Sequence, residues 1–238
     1  MDYFYASPEN ISRETVEIVG EEFTHLAHVM RKEEGDIIRV VDGRGTAYDV
    51  TLTTIKKKIA VGRIDARYQN HNEPELKVAI AIGILKNPSR LDFLVEKVTE
   101  LGVCEIIPMT TERTIAHHAK VERWQKLALA AMKQCGRSFL PGVAELQHFS
   151  NVLGKIHAYD VALVCHESTE SVSALADVLH KNPKSILMLI GPEGGFTEDE
   201  FSSCVRAGCV AVSLGPRRLR TETAAIAGAA LVLQRLLS

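Results

Sequence analysis

The period of the hydrophobic positions changes near residue 70. Before it the pattern is strand-like. Residues 37–41 (Ile-Ile-Arg-Val-Val) form an apolar run, residues 42–45 (Asp-Gly-Arg-Gly) a turn, and residues 48–55 alternate. Residues 58–64 offer a third strand, while residues 21–31 place Phe23, Leu26, Ala27 and Met30 on one face of a short helix. This composition suits a small β-barrel. The polar stretch 70–74 (Asn-His-Asn-Glu-Pro) breaks the pattern, so the expected domains are 1–72 and 73–238.

After the break, strands and helices alternate. Apolar strands are expected over 76–84, 104–109, 161–165, 186–190 and 210–214. Between the first two, Asn87 and Pro88 open a helix as cap and first residue. Leu91, Leu94, Val95, Val98 and Leu101 give it one apolar face, and Gly102 stands where it should end. Further helices are expected over 121–134, which carries the single tryptophan, Trp124, and over 224–237. Thr197 and Glu200 have the spacing of a reciprocal cap. The alternation predicts an α/β fold, a mostly parallel sheet with helices on both faces.

Two strand-to-helix connections stand out, because ligands of open α/β sheets bind outside the carboxyl ends of strands. The first is Gly191-Pro192-Glu193-Gly194-Gly195-Phe196. It lacks the Gly-Lys-Ser/Thr ending of a phosphate loop and the G-x-G-x-x-G pattern. Pro192 removes an amide donor, and Glu193 puts negative charge where a phosphate would need positive potential. An uncharged or cationic ligand fits better, although a plain tight turn would use the same glycines. The second runs from Leu214 to Ala225 and crowds Arg217, Arg218 and Arg220 beside Thr221 and Glu222. A helix cap at Thr221 with Glu222 in the first turn explains those two residues. The arginines suit an anionic partner such as RNA phosphate.

Composition narrows the class. The chain has 238 residues, 46% hydrophobic and 24% charged, as in ordinary globular proteins. No run approaches the roughly 18 apolar residues of a membrane span. The opening Met1-Asp2-Tyr3-Phe4 is unlike a signal segment, so a cytoplasmic location is expected. Five cysteines without a C-x-x-C pair predict reduced thiols and no structural zinc, and His25, His28, His117 and His118 lack a zinc-enzyme arrangement. A formal charge of −2 means that positive charge is local: Lys56, Lys57, Lys58, Arg63 and Arg67 in the first part, Arg217 to Arg220 in the last. A lysine run of this kind is also what a solvated face looks like.

At the two loops the chain resembles the small-subunit rRNA (uracil-N3)-methyltransferases, SPOUT-class enzymes that use S-adenosylmethionine. The Gly-Pro-Glu-Gly-Gly and Leu-Arg-Thr-Glu-Thr-Ala stretches are its most specific parts. The likeness extends to Lys86, Lys97-Val98-Thr99-Glu100-Leu101-Gly102-Val103, Ile107-Pro108, Glu112-Arg113-Thr114, Gln134-Cys135-Gly136-Arg137 and Pro141. In the first part His25-Leu26, His28-Val29-Met30-Arg31 and Asp42-Gly43-Arg44-Gly45 look like the family's PUA-like domain. There are three departures. Asp2 and Tyr3 stand where an arginine is usual, which puts an RNA contact in doubt. Lys133 replaces a glutamate and Arg218 an apolar residue, changes expected to alter surface charge rather than chemistry.

The resemblance implies a PUA-like β-barrel followed by a parallel sheet threaded into a trefoil knot, and a homodimer whose sites are completed by the partner. The small residues Ala224, Ala225, Ala227, Gly228, Ala229 and Ala230 agree with close packing, within one chain or between two. It implies S-adenosylmethionine at three strand ends. The first holds Leu163, His166 and Glu167. The second holds Ile190, Gly191, Pro192, Glu193, Gly194 and Gly195. The third holds Leu214, Gly215, Leu219, Arg220, Thr223 and Ala224. For methylation at uracil N3, a cation or base must meet the charge that develops on the ring. Arg220 is the first candidate, with Arg113 or Arg137 beside it, and Glu222 as a base or a cap. Arg31, Lys56, Lys57, Lys58 and Arg217 are the expected RNA contacts, and the expected partner is 16S rRNA within the small ribosomal subunit. Methylation of another base or of a ribose 2′-hydroxyl, and a non-catalytic assembly factor, are the rival readings.

Overall fold

A computed structural model describes residues 2–115, 118–166 and 182–234. The chain divides into two compact units. The first comprises Met1–Glu73 and Leu129–Leu140, the second Pro74–Ala128 and Pro141–Ser238.

The first unit is a five-stranded sheet of β1 (Tyr3–Tyr5), β2 (Thr15–Val19), β3 (Ile37–Val41), β4 (Thr46–Lys56) and β5 (Ile59–Gln69), in the order β1-β3-β4-β5-β2. All pairs are antiparallel except β1 with β3. The pairing path starts at β1 and ends at β2. Irregularities between Asp49 and Val50 and between Leu52 and Thr54 bend the long β4–β5 ribbon. Alternate positions fill its core: Phe4, Val16, Ile18, Ile38, Val40, Val50 and Leu52 are buried together. The helix expected over 21–31 is shorter and less regular. It consists of α1 (Gly20–Thr24) and a π-helical turn over His25–Val29, and Arg31 in the left-handed region (φ 52°) follows it. Phe23 and Leu26 face inward as expected, while Met30 is exposed.

The first unit is also larger than the contiguous domain 1–72, because residues 129–140 belong to it. The division falls inside α3 (Val121–Cys135), whose later residues Leu129 and Met132 pack with Val41 and Ala47. An ion pair from Lys133 to Glu22 and a Gly45 amide bond to the Ser138 carbonyl at 3.0 Å fasten this return. Lys133 is therefore a half-buried structural partner rather than a change of surface charge.

The second unit is a wholly parallel sheet. Its strands are β6 (Lys77–Gly83), β7 (Glu105–Thr110), β8 (Gly142–Val143), β9 (Gln147–His148), β10 (Val161–Cys165), β11 (Ser185–Ile190) and β12 (Val210–Val212). The order is β12-β10-β11-β6-β7-β8, with β9 also paired to β7. The central strands are apolar on both faces, as a doubly covered sheet requires. One face (Ala79, Ala81, Met109, Val164, Leu187, Leu189) packs with Phe149 and Val152 of α4 (Phe149–Leu153) and Cys204 of α5 (Glu198–Ala207). On the other, α2 (Pro88–Leu101) and α6 (Thr221–Gln234) pack together, and α6 packs on β6 and β11.

Local chemistry sets the helix ends. Asn87 accepts a bond from the Ser89 amide at 3.0 Å, a cap worth about 1 kcal/mol. Gly102 closes α2 with φ 110°, a conformation that favours glycine. The reciprocal Thr197–Glu200 cap opens α5 as expected. The last helix starts earlier than expected. The first bond of α6, from the Ala224 amide to the Arg220 carbonyl at 2.8 Å, makes Thr221 its first residue rather than its cap.

Candidate active site

The carboxyl ends of β10, β11 and β12 open together on a cavity of about 530 Å3. Chain order explains why. After β11 the chain passes through α5 and returns as β12 on the far side of β10, so two connections flank one strand end.

The connection after β11 is rigid and made of backbone. The Gly195 amide donates to the Pro192 carbonyl at 2.8 Å, and Gly195 has φ 68°. A side chain at Gly191 would bring Cβ within 2.9 Å of the Gly195 and Phe196 backbone, and one at Gly83 would collide with Pro192. Arg113 holds the loop: its Nη1 donates to the carbonyls of Gly194 at 2.8 Å and Phe196 at 3.2 Å, and its stem lies against Gly194. Glu193 accepts from the Lys86 amide at 3.0 Å, and Glu200 accepts from the amides of Glu112 at 2.8 Å and Thr197 at 2.9 Å.

The connection after β12 is open by comparison. Gly215 turns it with φ 112°, and Arg217, Arg218 and Arg220 are exposed. Leu214 and Leu219 are half-buried and give the cavity apolar wall. At the end of β10 the Cys165 thiol lines the cavity, and burial pushes its pKa up to about 12, so it remains protonated. The neighbouring His166 donates its amide to the Val212 carbonyl at 3.1 Å, and its ring lies 4.1 Å from that of Phe201.

Most expected residues meet here. His166, Ile190, Gly191 to Gly195, Leu214, Gly215, Leu219, Arg220, Ala224, Arg113 and Arg217 all line the cavity. Others do not. Leu163 is buried inside β10, and Thr223 is exposed on α6 outside the lining. Glu222 is behind the cavity wall, 7% exposed, with Oε1 3.6 Å from Arg90 Nε and no hydrogen-bond partner for Oε2 among the described residues. Arg137 belongs to the first unit, 3% exposed, and donates to Glu73 from Nη2 at 2.7 Å and Nε at 3.0 Å. Glu167 and His117 lie outside the described residues. Of the expected RNA contacts outside this unit, Arg31 is exposed and Lys56, Lys57 and Lys58 form the exposed tip of the β4–β5 hairpin.

Sequence reading missed Arg90 and Glu198 in the lining, which lie outside the three strand-end segments it singled out. Arg90 left a signal. It stands in the first turn of α2, where the helix dipole opposes a cation, so an anionic partner is expected there. With Arg90, Arg113, Arg217, Arg218 and Arg220 against Glu193 and Glu198, the lining is net positive.

S-adenosylmethionine fits this site. The volume is in the range of small-molecule cavities. The glycine loop leaves backbone groups open where a Cβ would intrude, and the lining offers both carboxylates and arginines to a ligand carrying both charges. Among the described residues no group of His, Cys, Asp and Glu is placed to hold a metal ion.

A parallel sheet with these glycine and arginine loops, in a chain that also carries a small β-sheet unit, defines an RNA methyltransferase. A family model described as an RNA methyltransferase domain matches residues 72–233, and one described as an RNA methyltransferase PUA domain matches residues 18–65. The chain belongs to the family of ribosomal RNA small subunit methyltransferase E. It is 34% identical over 222 residues to the Bacillus subtilis protein of that name, covering 88% of this chain and 86% of the relative. It is 33% identical to the Synechocystis protein over 92% of this chain and 72% of the relative. The structure of the Neisseria gonorrhoeae protein of the same name, bound to S-adenosyl methionine, superposes with a TM-score of 0.88 at 34% identity, covering 99% of this chain and 98% of that one.

Proposed function

We propose that this methyltransferase transfers the methyl group of S-adenosylmethionine to N3 of one uridine in 16S rRNA, with the assembled small subunit as substrate. The observation that carries this reading is the joining of a backbone-built glycine loop and an arginine-rich loop around one cavity. The cofactor supplies an already activated methyl group, so the protein's work is orientation and charge. The Gly191 to Gly195 loop, fixed by Arg113, holds the cofactor side without having to reorganise. On the acceptor side the N3 proton must leave as the new N–C bond forms, and negative charge spreads over the ring. Arg220, exposed in the lining, is the cation that meets it, and Arg217 takes a neighbouring phosphate.

The same reading makes the loops around Gly191 and Leu214 the knotted, cofactor-holding part of the chain, the active species a homodimer, and the cytoplasm its place of work. Among the described residues no helix is long and apolar enough to cross a membrane. The test is to incubate the purified protein and S-adenosylmethionine with small subunits from a strain lacking the gene, then identify nucleosides by mass spectrometry. New 3-methyluridine in subunits, and little in free rRNA, is expected. A different methylated nucleoside would replace the target, and no methylation despite cofactor binding would overturn the reading.

A further inference from the structure

A second cavity, of about 400 Å3, lies in the same unit. Its floor is apolar: Ile84, Leu85, Leu91 and Trp124, each nearly fully buried. The indole is held in place, because Trp124 Nε1 donates to Asp92 at 3.0 Å and Asp92 also accepts from Arg123 at 2.9 Å. The rim carries positive charge: Lys86 and Lys120 line it together with His118, and among the described residues no carboxylate does. At its mouth Ile115 is 71% exposed.

This cavity shares a wall with the active site. The segment after β6 forms it: Lys86 lines the second cavity, and its amide donates to Glu193, which lines the first. Arg90 lines the first cavity and the adjacent Leu91 the second. A ligand spanning both would need repeating units a short distance apart, each with a flat apolar body and an anionic link.

We propose that the second cavity receives a nucleobase of the RNA substrate next to the target uridine, with its phosphate on Lys86 and Lys120. The inference rests on the reading of this protein as an RNA methyltransferase. Base faces bind apolar and aromatic surfaces without regard to sequence, and phosphates draw the cations. A purely apolar ligand would have no use for the cationic rim, and a cationic one would be repelled by it.

The single tryptophan makes the test direct. Trp124 fluorescence is titrated with penta-uridylate and with an abasic oligonucleotide of the same length. A saturable change with the first and not the second is expected. Ile115→Glu, an exposed substitution that leaves the fold intact, should weaken it about tenfold by repelling the phosphate, with S-adenosylmethionine affinity by calorimetry unchanged. Equal signals from both oligonucleotides would mean backbone binding alone and overturn the proposal. So would an unchanged subunit KM in Ile115→Glu while methyl transfer proceeds. Base-dependent quenching without methylation of any subunit would uphold the cavity and instead sink the assigned reaction.

Discussion

Each unit contains a glutamate facing an arginine, half-buried at Glu73 and buried at Glu222, and the two pairs are built differently. In the first unit Glu73 is saturated: Arg137 donates to it from Nη2 and Nε, and the amides of Ser138 and Phe139 both donate to Oε1 at 2.8 Å. In the second, Glu222 meets Arg90 only at 3.6 Å, and its Oε2 has no hydrogen-bond partner among the described residues. Burying a carboxylate is costly unless it is paired and bonded. The closed pair holds residues 129–140 to the first unit. The open pair involves an arginine that lines the candidate active site, and departures from full satisfaction concentrate at such sites.

The largest expected effect would break this comparison if it failed. Arg137→Ala leaves the Glu73 carboxylate, its side chain 9% exposed, without its guanidinium and should cost about 3 kcal/mol in denaturant unfolding. Methyl transfer per folded molecule should stay near normal. A stable Arg137→Ala protein with a selective loss of kcat would return Arg137 to the chemistry. Next comes Arg220→Ala, which should lower kcat on the order of 100-fold, as loss of one transition-state charge partner does. Calorimetry should find S-adenosylmethionine affinity lowered far less than kcat, and unaltered turnover would remove Arg220 from the reaction.

Gly191→Ala is the third. Its Cβ would meet the Gly195 and Phe196 backbone at 2.9 Å, so the loop must shift. Overpacking of this kind costs about 1–3 kcal/mol, and cofactor affinity should fall roughly tenfold or more. Normal affinity would show that the loop does not shape the cofactor site. A smaller effect sharpens the contrast between the pairs. Glu222→Gln should change stability by less than about 1 kcal/mol, because only one loose ion pair is lost, whereas Glu73→Gln should cost more. Parallel melts of the two variants decide it, and equal losses would erase the distinction. The smallest effect is at Cys165. Burial disfavours its thiolate, so the neutral thiol persists until the pH nears 12. Peptide mapping after iodoacetamide treatment at about pH 8 should find Cys165 slow to react. Rapid alkylation would refute its protonated state.

Both loops of the candidate site were legible because each is one continuous stretch at the end of an apolar strand. The glycines of the first and the arginines of the second announce themselves within a few residues. Arg137 was misplaced for the opposite reason. Its family-like motif, Gln-Cys-Gly-Arg, says nothing about which carboxylate it meets, and Glu73 is 64 residues away in the chain. Arg90 was legible in hindsight as a cation at the wrong end of a helix, but its partner Glu222 is brought to it only by the packing of α2 on α6.

By itself the sequence determined the alternation of strands and helices, the caps at Asn87, Gly102 and Thr197, and which two loops end their strands with glycines and arginines. These depend on residues a few positions apart, through side-chain period and unpaired amides at helix ends. The tertiary structure alone decided that residues 129–140 return to the first unit, that β12 lies beside β10 rather than β11, and that two cavities share one wall. Those outcomes depend on strand pairing and burial between distant segments, where many partners satisfy the same local pattern and only the folded chain selects among them.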